Sequence, residues 1–265
     1  MKKDKQVFGT HEWAVKNANF INGCFHDCKY CYSKEMAIRF KRKTPATWHI
    51  EEIDSNLKKI KIKKVDGMVM FPSSHDITPI NLSLSIEFLR NLLDSGNEVL
   101  IVTKPHLEVI KEICTKFENY KNKILFRFTI GSINSETLKF WEVYAPPFAE
   151  RKESLIYAYK NGFFTSVSCE PMLDDTTEEL VKSLLPYITD SIWIGKANFL
   201  LRRLKMNGND DPKTIRKAQE LISMQSDENI KTLFKKLKKN KKIKWKESIK
   251  KIVDLEIASV KGLDI

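Results

Sequence analysis

No apolar run in these 265 residues approaches the length needed to cross a bilayer. The N-terminus, Met1-Lys-Lys-Asp-Lys-Gln6, has no apolar stretch behind it, which argues against a secretory signal. No internal repeat divides the chain. Cysteine is scarce, five residues in all, and three of the five fall within eight positions. In the reducing, cytoplasmic compartment that these absences imply, clustered thiols point to metal or catalysis and not to disulfide staples. A hydrophobic content of 42% and a charged content of 30% suit a globular protein, and the length suits one sizeable core with a tail.

Arginine is sparse beside lysine, and the basic excess is uneven. Eleven lysines and one glutamate fall between Lys231 and Lys251, so this stretch carries most of the net charge of +12. Two readings stay open. The tail could hold nucleic acid through phosphate contacts, with Trp245 as a stacking surface. Alternatively the lysines, with plentiful asparagine and isoleucine, reflect an AT-rich coding sequence, and Trp245 and Ile249 pack back onto the body of the protein.

The clustered cysteines read Cys24-Phe-His-Asp-Cys28-Lys-Tyr-Cys31, a C-x3-C-x2-C loop with Tyr30 before the last thiol. Thiolates on so short a loop can hold an iron–sulfur cluster. Three ligands on a [4Fe–4S] cube leave one iron with an open position. Other chemistries need more than the loop offers. A closed zinc site needs a fourth ligand, from His26 or the distant Cys169. A disulfide with a spare thiol needs an oxidising compartment, and a ferredoxin-type carrier needs a fourth cysteine nearby. A non-catalytic metal module, zinc or iron–sulfur, that binds nucleic acid through the basic tail is the alternative of a different class.

The rest of the chain alternates. Apolar runs predict strands near Asn19–Asn22, Gly67–Phe71, Glu98–Thr103, Ile124–Ile130, Thr165–Cys169 and Ser191–Ile194. Helical patterns start at Tyr32 and near Ile50, the latter running to Ile60 through Ile53 and Leu57. Further ones cover Asn81–Asp94, with Gly96 as its stop, His106–Phe117, Arg151–Lys160 and Thr177–Tyr187. Such alternation with short connections predicts an α/β fold with a parallel sheet; six strands with the cysteine loop after the first suit a partial barrel, and the pattern alone leaves a doubly wound sheet open. It ceases near residue 200, which suggests a core over 1–200 and a basic helical extension over 201–265. Polar residues collect where strands end, the side on which barrels of this kind place their chemistry. They are Ser73, Ser74, His75 and Asp76 after the second strand and Lys104 after the third. Arg127, Thr129 and Ser132 mark the fourth, Cys169 and Glu170 the fifth, and Gly195 and Lys196 the sixth.

The cysteine spacing and its aromatic resemble the radical SAM superfamily. Thr103-Lys104, Arg127-Phe-Thr-Ile130 and Pro147-Phe-Ala-Glu-Arg151 look like its spore photoproduct lyase-like branch, over about Asn19 to Met172. The resemblance implies a partial (β/α)6 TIM-like barrel. It implies a [4Fe–4S] cluster on Cys24, Cys28 and Cys31 and reductive cleavage of S-adenosylmethionine to a 5′-deoxyadenosyl radical. A reductant such as flavodoxin or ferredoxin would supply the electron. It carries S-adenosylmethionine contacts to Tyr30, Ser73 or Ser74, Lys104 and Thr129, with Ser132 and Gly195 joined to the same site. His75, Asp76, Cys169 and Glu170 are then the substrate-side candidates, for proton transfer or, at Cys169, hydrogen-atom transfer. Strand alternation sets Cys169 opposite Ser168 and Glu170, so Cys169 and Glu170 do not both face the lumen. Cys114, on an apolar helix face, reads as inert core. The chain departs from the pattern in having Ser73-Ser-His-Asp76 where Gly-Gly-Glu is usual, no cysteine in that loop, and no auxiliary-cluster domain. The implied function is a radical SAM enzyme with an unidentified substrate, nucleic acid among the candidates.

Overall fold

Lys16–Asn17 (β1) opens a sheet in which every strand lies parallel to the one before it in the chain, and the structure, a computed structural model, describes residues 6–54 and 63–263. The short segment after it, Ile21–Asn22 (β2), leaves the sheet and pairs antiparallel with Glu52–Ile53 (β3). The sheet then takes Met68–Met70 (β4), Glu98–Thr103 (β5), Ile124–Thr129 (β6), Phe164–Cys169 (β7), Ile192–Ile194 (β8) and Ile243–Trp245 (β9). β1 and β9 are its edges, so this is a partial barrel that does not close.

Two differences from the sequence reading have local causes. The first barrel strand is Lys16–Asn17 and not Asn19–Asn22, because the backbone N–H of Val15 and of Ala18 bond the Met68 and Met70 carbonyls. Asn19 does other work: its Oδ1 accepts from the N–H groups of Ser73 and Ser74, at 2.8 and 2.9 Å, and holds the exit of β4. The helix expected from Ile50 is replaced at its start by β3, whereas Leu57 and Ile60 lie outside the described residues.

The helices are α1 (Tyr32–Arg39), α2 (Leu82–Asp94), α3 (Leu107–Lys116), α4 (Ser135–Trp141), α5 (Phe148–Lys160), α6 (Thr177–Leu184), α7 (Leu200–Met206), α8 (Pro212–Met224), α9 (Asp227–Leu237) and α10 (Glu247–Lys250). α4 is missing from the sequence reading; its seven residues carry too little apolar periodicity to declare it. No helix among the described residues is long and apolar enough to cross a membrane.

Strands buried on both faces explain the continuous apolar runs. On one face Val99, Ile101, Phe126, Phe128, Val167, Ile192 and Ile194 meet the helices in the main core. Burial of each such side chain contributes about 1.5–3 kcal/mol. The other face fills the barrel interior with Met70, Leu100, Leu125 and Trp193, plugged by Trp13. Arg127 belongs to this plug and not to a strand-end site. Its guanidinium lies 4.8 Å over the Trp13 ring, its Nε donates to Ser166 Oγ at 2.9 Å, and it pairs with Asp190 at 3.1 Å.

The lysine-rich segment supplies the seventh strand. Ile243, Lys244 and Trp245 pair with Ile192, Trp193 and Ile194, and Trp245 meets Phe234 edge-on at 5.2 Å. Trp245 and Ile249 are buried, so both pack onto the barrel. Because β9 is parallel to its neighbours, the lysines that precede it lie at the end of the sheet opposite the strand-end chemistry. Lys242 Nζ donates to the Ile188 carbonyl there.

Candidate functional site

A cavity of about 490 Å³ opens at the C-terminal ends of the strands. Three cysteines of one loop reach it. Gly23 starts the loop with φ +119°, and a Cβ there would meet the Ile50 carbonyl oxygen at 2.4 Å, so no other residue fits. The Cys24 N–H donates to the Trp48 carbonyl at 3.0 Å. Cys31 caps α1, its Sγ accepting from the Lys34 N–H at 3.4 Å. From behind, the Asn207 side-chain amide donates to the Lys29 and Cys31 carbonyls at 2.9 and 3.0 Å.

All three thiols are free and line the cavity. Burial pushes each above the ordinary cysteine range; for Cys24 the Asp76 charge adds to it, and for Cys31 the Lys34 N–H opposes it. Thiols this buried stay protonated unless a positive centre binds them. The iron of a cluster is such a centre, and the donor set fits it. The zinc reading fares less well. Cys169 is buried in the main core, its Sγ 4.0 Å from the Gly131 carbonyl oxygen, and cannot join the loop. His26 brings a ring nitrogen within 4.8 Å of Cys24 Sγ and an Asp76 oxygen. Both its nitrogens are engaged, Nδ1 with Asp76 at 2.8 Å and Nε2 with His106 Nε2 at 2.8 Å.

Asp76 is the most heavily bonded group of the site. It accepts from the Lys104 N–H at 2.7 Å and Thr103 Oγ1 at 3.0 Å, pairs with Lys104 Nζ at 3.4 Å, and lies 3.8 Å from Cys24 Sγ. Burial works against its charge, but Lys104 and His26 together hold it well below the usual carboxylate range. Burial likewise opposes the Lys104 charge, and Asp76 with Cys28 more than restores it. His75 lines the cavity wall with its Nδ1 on the Asp76 carbonyl at 3.1 Å; burial pushes it down to about 4, so it is neutral at pH 7.

Tyr30 donates its hydroxyl to Glu142, which pairs with Arg151 where neither side chain is exposed. Arg151 also donates to the Thr129 carbonyl at 3.1 Å and so ties the end of β6. This gives the Pro147–Arg151 stretch its place in the site. Ser73, Ser74, Lys104 and Thr129 line the cavity, as do Ser168 and Glu170. Ser132 and Gly195 do not. The Ser132 hydroxyl donates to Asp174 and caps the turn before α4. Gly195 lies behind the wall, where a Cβ would stand 2.9 Å from both Glu170 Cγ and Lys246 Cγ. Cys169 faces the core and Glu170 the cavity, as alternation requires, and Cys114 is core as expected.

Two features in and behind the cavity wall, Lys246 and Phe199, are not legible in the sequence, whereas Trp13, a core anchor or a lid by sequence, is buried core that also touches the cavity. Lys246, 0% exposed, reaches Glu12 at 3.0 Å and Glu170 at 3.6 Å, yet in sequence it is one lysine among eleven. Phe199 stands at the mouth, 66% exposed and in the left-handed region at φ 55°. The period-2 pattern Ile243-Lys-Trp245 was the one signal that could have placed Lys246 at a strand end.

The family model of the radical SAM superfamily matches residues 18–186. An uncharacterized protein, ORF301, of Acidianus two-tailed virus is 28% identical over 186 residues, 63% of this chain and 60% of that protein, so the chain spans about 60% of that relative's length. Among solved structures, a mutant of spore photoproduct lyase superposes with a TM-score of 0.53 at 17% identity, covering 80% of this chain and 65% of that one. A second mutant of that lyase, with bound AdoMet and dinucleoside spore photoproduct, gives 0.53 at 15% identity, with the same coverage of both chains. SuiB of Streptococcus suis bound to S-adenosylmethionine gives 0.50 at 11% identity, covering 90% of this chain and 52% of that one. The structural likenesses carry the fold, the family match carries the chemistry of cluster and S-adenosylmethionine, and the chain belongs to the radical SAM superfamily.

Proposed function

We propose that this radical SAM enzyme holds its [4Fe–4S] cluster on Cys24, Cys28 and Cys31 and binds S-adenosylmethionine across the strand ends from Tyr30 and Ser73–Ser74 to Thr129. The observation that carries the reading is the convergence of three thiols of one loop, Cys24 and Cys28 buried and Cys31 partly so, on a cavity walled by strand ends. When bound, the two groups supply a 5′-deoxyadenosyl radical through reductive cleavage, with an electron from a carrier such as flavodoxin or ferredoxin. Lys104, fixed by Asp76, places a cation beside Cys28 and offsets the thiolate charge.

Of the three proton-transfer candidates we favour Glu170. Asp76 is committed to Lys104 and His26, and His75 sits edge-on to Phe20 at 5.4 Å in an aromatic enclosure. Glu170 retains access to the cavity. For the substrate we favour nucleic acid. Phe199 offers an exposed ring at the mouth, with the Arg202 guanidinium 4.5 Å from it. Arg202 and Arg203 share the single carboxylate of Glu35, which leaves one positive charge beside the ring. Stacking surface plus cation is what a single strand needs. The dinucleoside in the lyase neighbour agrees with it.

The test uses the full chain reconstituted anaerobically with iron and sulfide. Formation of 5′-deoxyadenosine from S-adenosylmethionine with a reductant supports the assignment; stoichiometric zinc and no product overturns it. For the substrate, a labelled single-stranded oligonucleotide should bind with steep salt dependence and lose affinity in Phe199→Ala.

A further inference from the structure

Behind the wall of the cavity, Lys246 is enclosed by the 3-10 turn Gly9–Glu12, the end of β7 and the plug of the barrel. Its Nζ donates to the Gly9 carbonyl at 2.9 Å and lies 3.0 Å from Glu12 Oε1, 3.6 Å from Glu170 Oε2 and 4.1 Å over the Trp13 ring. Its own N–H donates to the Ile194 carbonyl, so β9 fixes where it stands. Gly195 makes the meeting possible, because a Cβ at that position would clash at 2.9 Å with both Glu170 and Lys246. A buried ammonium, a glycine that clears space for it and a carboxylate that opens on the cavity form one arrangement.

From this geometry we infer that Lys246 is a positioning residue that orients Glu170 at the cavity wall and favours its charged form, as the acceptor for a proton or a hydrogen-bond donor of the substrate. The inference rests on the proposed reading of the cavity, in which Glu170 faces the substrate. The charged groups around the pair are Glu12 from the 3-10 turn, Glu247 from α10 and Arg203 from α7. Burial raises Glu170 above the ordinary carboxylate range, and Lys246 is the foremost group that pulls it back. Burial pushes Glu12 up to about 7 against the pull of the same lysine. Lys246 thus stands between two carboxylates, Glu12 at 3.0 Å and Glu170 at 3.6 Å. Once Glu12 ionises, the two carboxylates compete for it. The device draws on residue 246, so the segment past the sixth strand completes the site.

The pairing can be read without a substrate. Full-length, cluster-loaded protein carrying glutamate labelled at the side-chain carboxyl carbon is titrated by NMR, with the Glu170 signal assigned by Glu170→Gln. In Lys246→Met the Glu170 midpoint should rise by about one pH unit or more, and in Lys246→Arg it should stay within about half a unit of the native protein. Gly195→Ala keeps the lysine and drives the pair apart, so the midpoint should rise there too. An unchanged midpoint in Lys246→Met overturns the inference, and an unchanged midpoint in Gly195→Ala does so even where Lys246→Met fails to fold. Failure of the underlying reading would appear separately, as native protein that forms no 5′-deoxyadenosine.

Discussion

Lys104 Nζ lies 3.4 Å from the Asp76 carboxylate, and Asp76 in turn lies 3.8 Å from Cys24 Sγ. The lysine that the resemblance places at S-adenosylmethionine already has a carboxylate partner of its own. Two strand ends and the cysteine loop are thereby linked through one buried anion. Lys104→Met removes the compensating charge and should destabilise the protein by about 3–5 kcal/mol. In the double variant with Asp76→Asn much of that loss should return, because no buried charge is left unpaired. Thermal unfolding of the two single variants and the double variant checks this, and strictly additive losses would show that the two residues do not act as a pair.

Asn207 follows α7 and holds two carbonyls of the cysteine loop. Asn207→Ala leaves them without their donor and should cost about 1–3 kcal/mol. Iron retention under a competing chelator should shorten with it. Native retention in that variant would mean the loop keeps its shape unaided.

Glu12 gives a pH dependence with a definite sign. Its carboxyl is raised from 4.5 to about 7 in the folded protein, so the folded state binds the proton more tightly than the unfolded one. The stability this adds is complete below about pH 4.5 and is lost as pH rises through about 7. Glu12→Gln should abolish that decline, which amounts to at most about 3 kcal/mol. Denaturant unfolding at pH 5 and pH 8 checks it: parallel pH profiles in native protein and variant would contradict the assignment.

The sequence carried the cysteine loop, five of the strands and the polar strand ends, because each is local: spacing on one loop, or an apolar run between breakers. What it could not carry is partnership at a distance. Lys246 looks like its neighbours in a lysine run until β9 pairs with β8 and sets it beside Glu170. Ser132 and Gly195 do sit at strand ends, but the Ser132 hydroxyl turns to Asp174 and the missing Cβ of Gly195 makes room for a salt bridge. The strand near Asn19–Asn22 exists as β2 but lies outside the main sheet, and the first barrel strand, two residues long, leaves almost no pattern.

Truncation after residue 225 is a sharp test of where the body of the protein ends. It removes Ile230, Ile243, Trp245 and Ile249, all buried, at about 1.5–3 kcal/mol each. The sum rivals the whole stability of a typical domain, about 5–15 kcal/mol. The truncated chain should lose cooperative unfolding and S-adenosylmethionine cleavage together. Retained cleavage would restore a self-sufficient core that ends near residue 200.

The lysines before β9 sit at the far end of the sheet, so replacing Lys235, Lys238, Lys239 and Lys241 by glutamine should leave 5′-deoxyadenosine formation unchanged. If these side chains hold nucleic acid, the salt dependence of oligonucleotide binding should flatten in the same variant. A large loss of cleavage would place them closer to the chemistry than the topology allows.

The central claim is that Cys24, Cys28 and Cys31 alone carry the cluster. Iron content and 5′-deoxyadenosine formation after anaerobic reconstitution of Cys28→Ala, beside Cys114→Ala, test it most directly. The account predicts about four irons per chain and product in Cys114→Ala, with loss of both in Cys28→Ala. Full iron loading and S-adenosylmethionine cleavage in Cys28→Ala would contradict it.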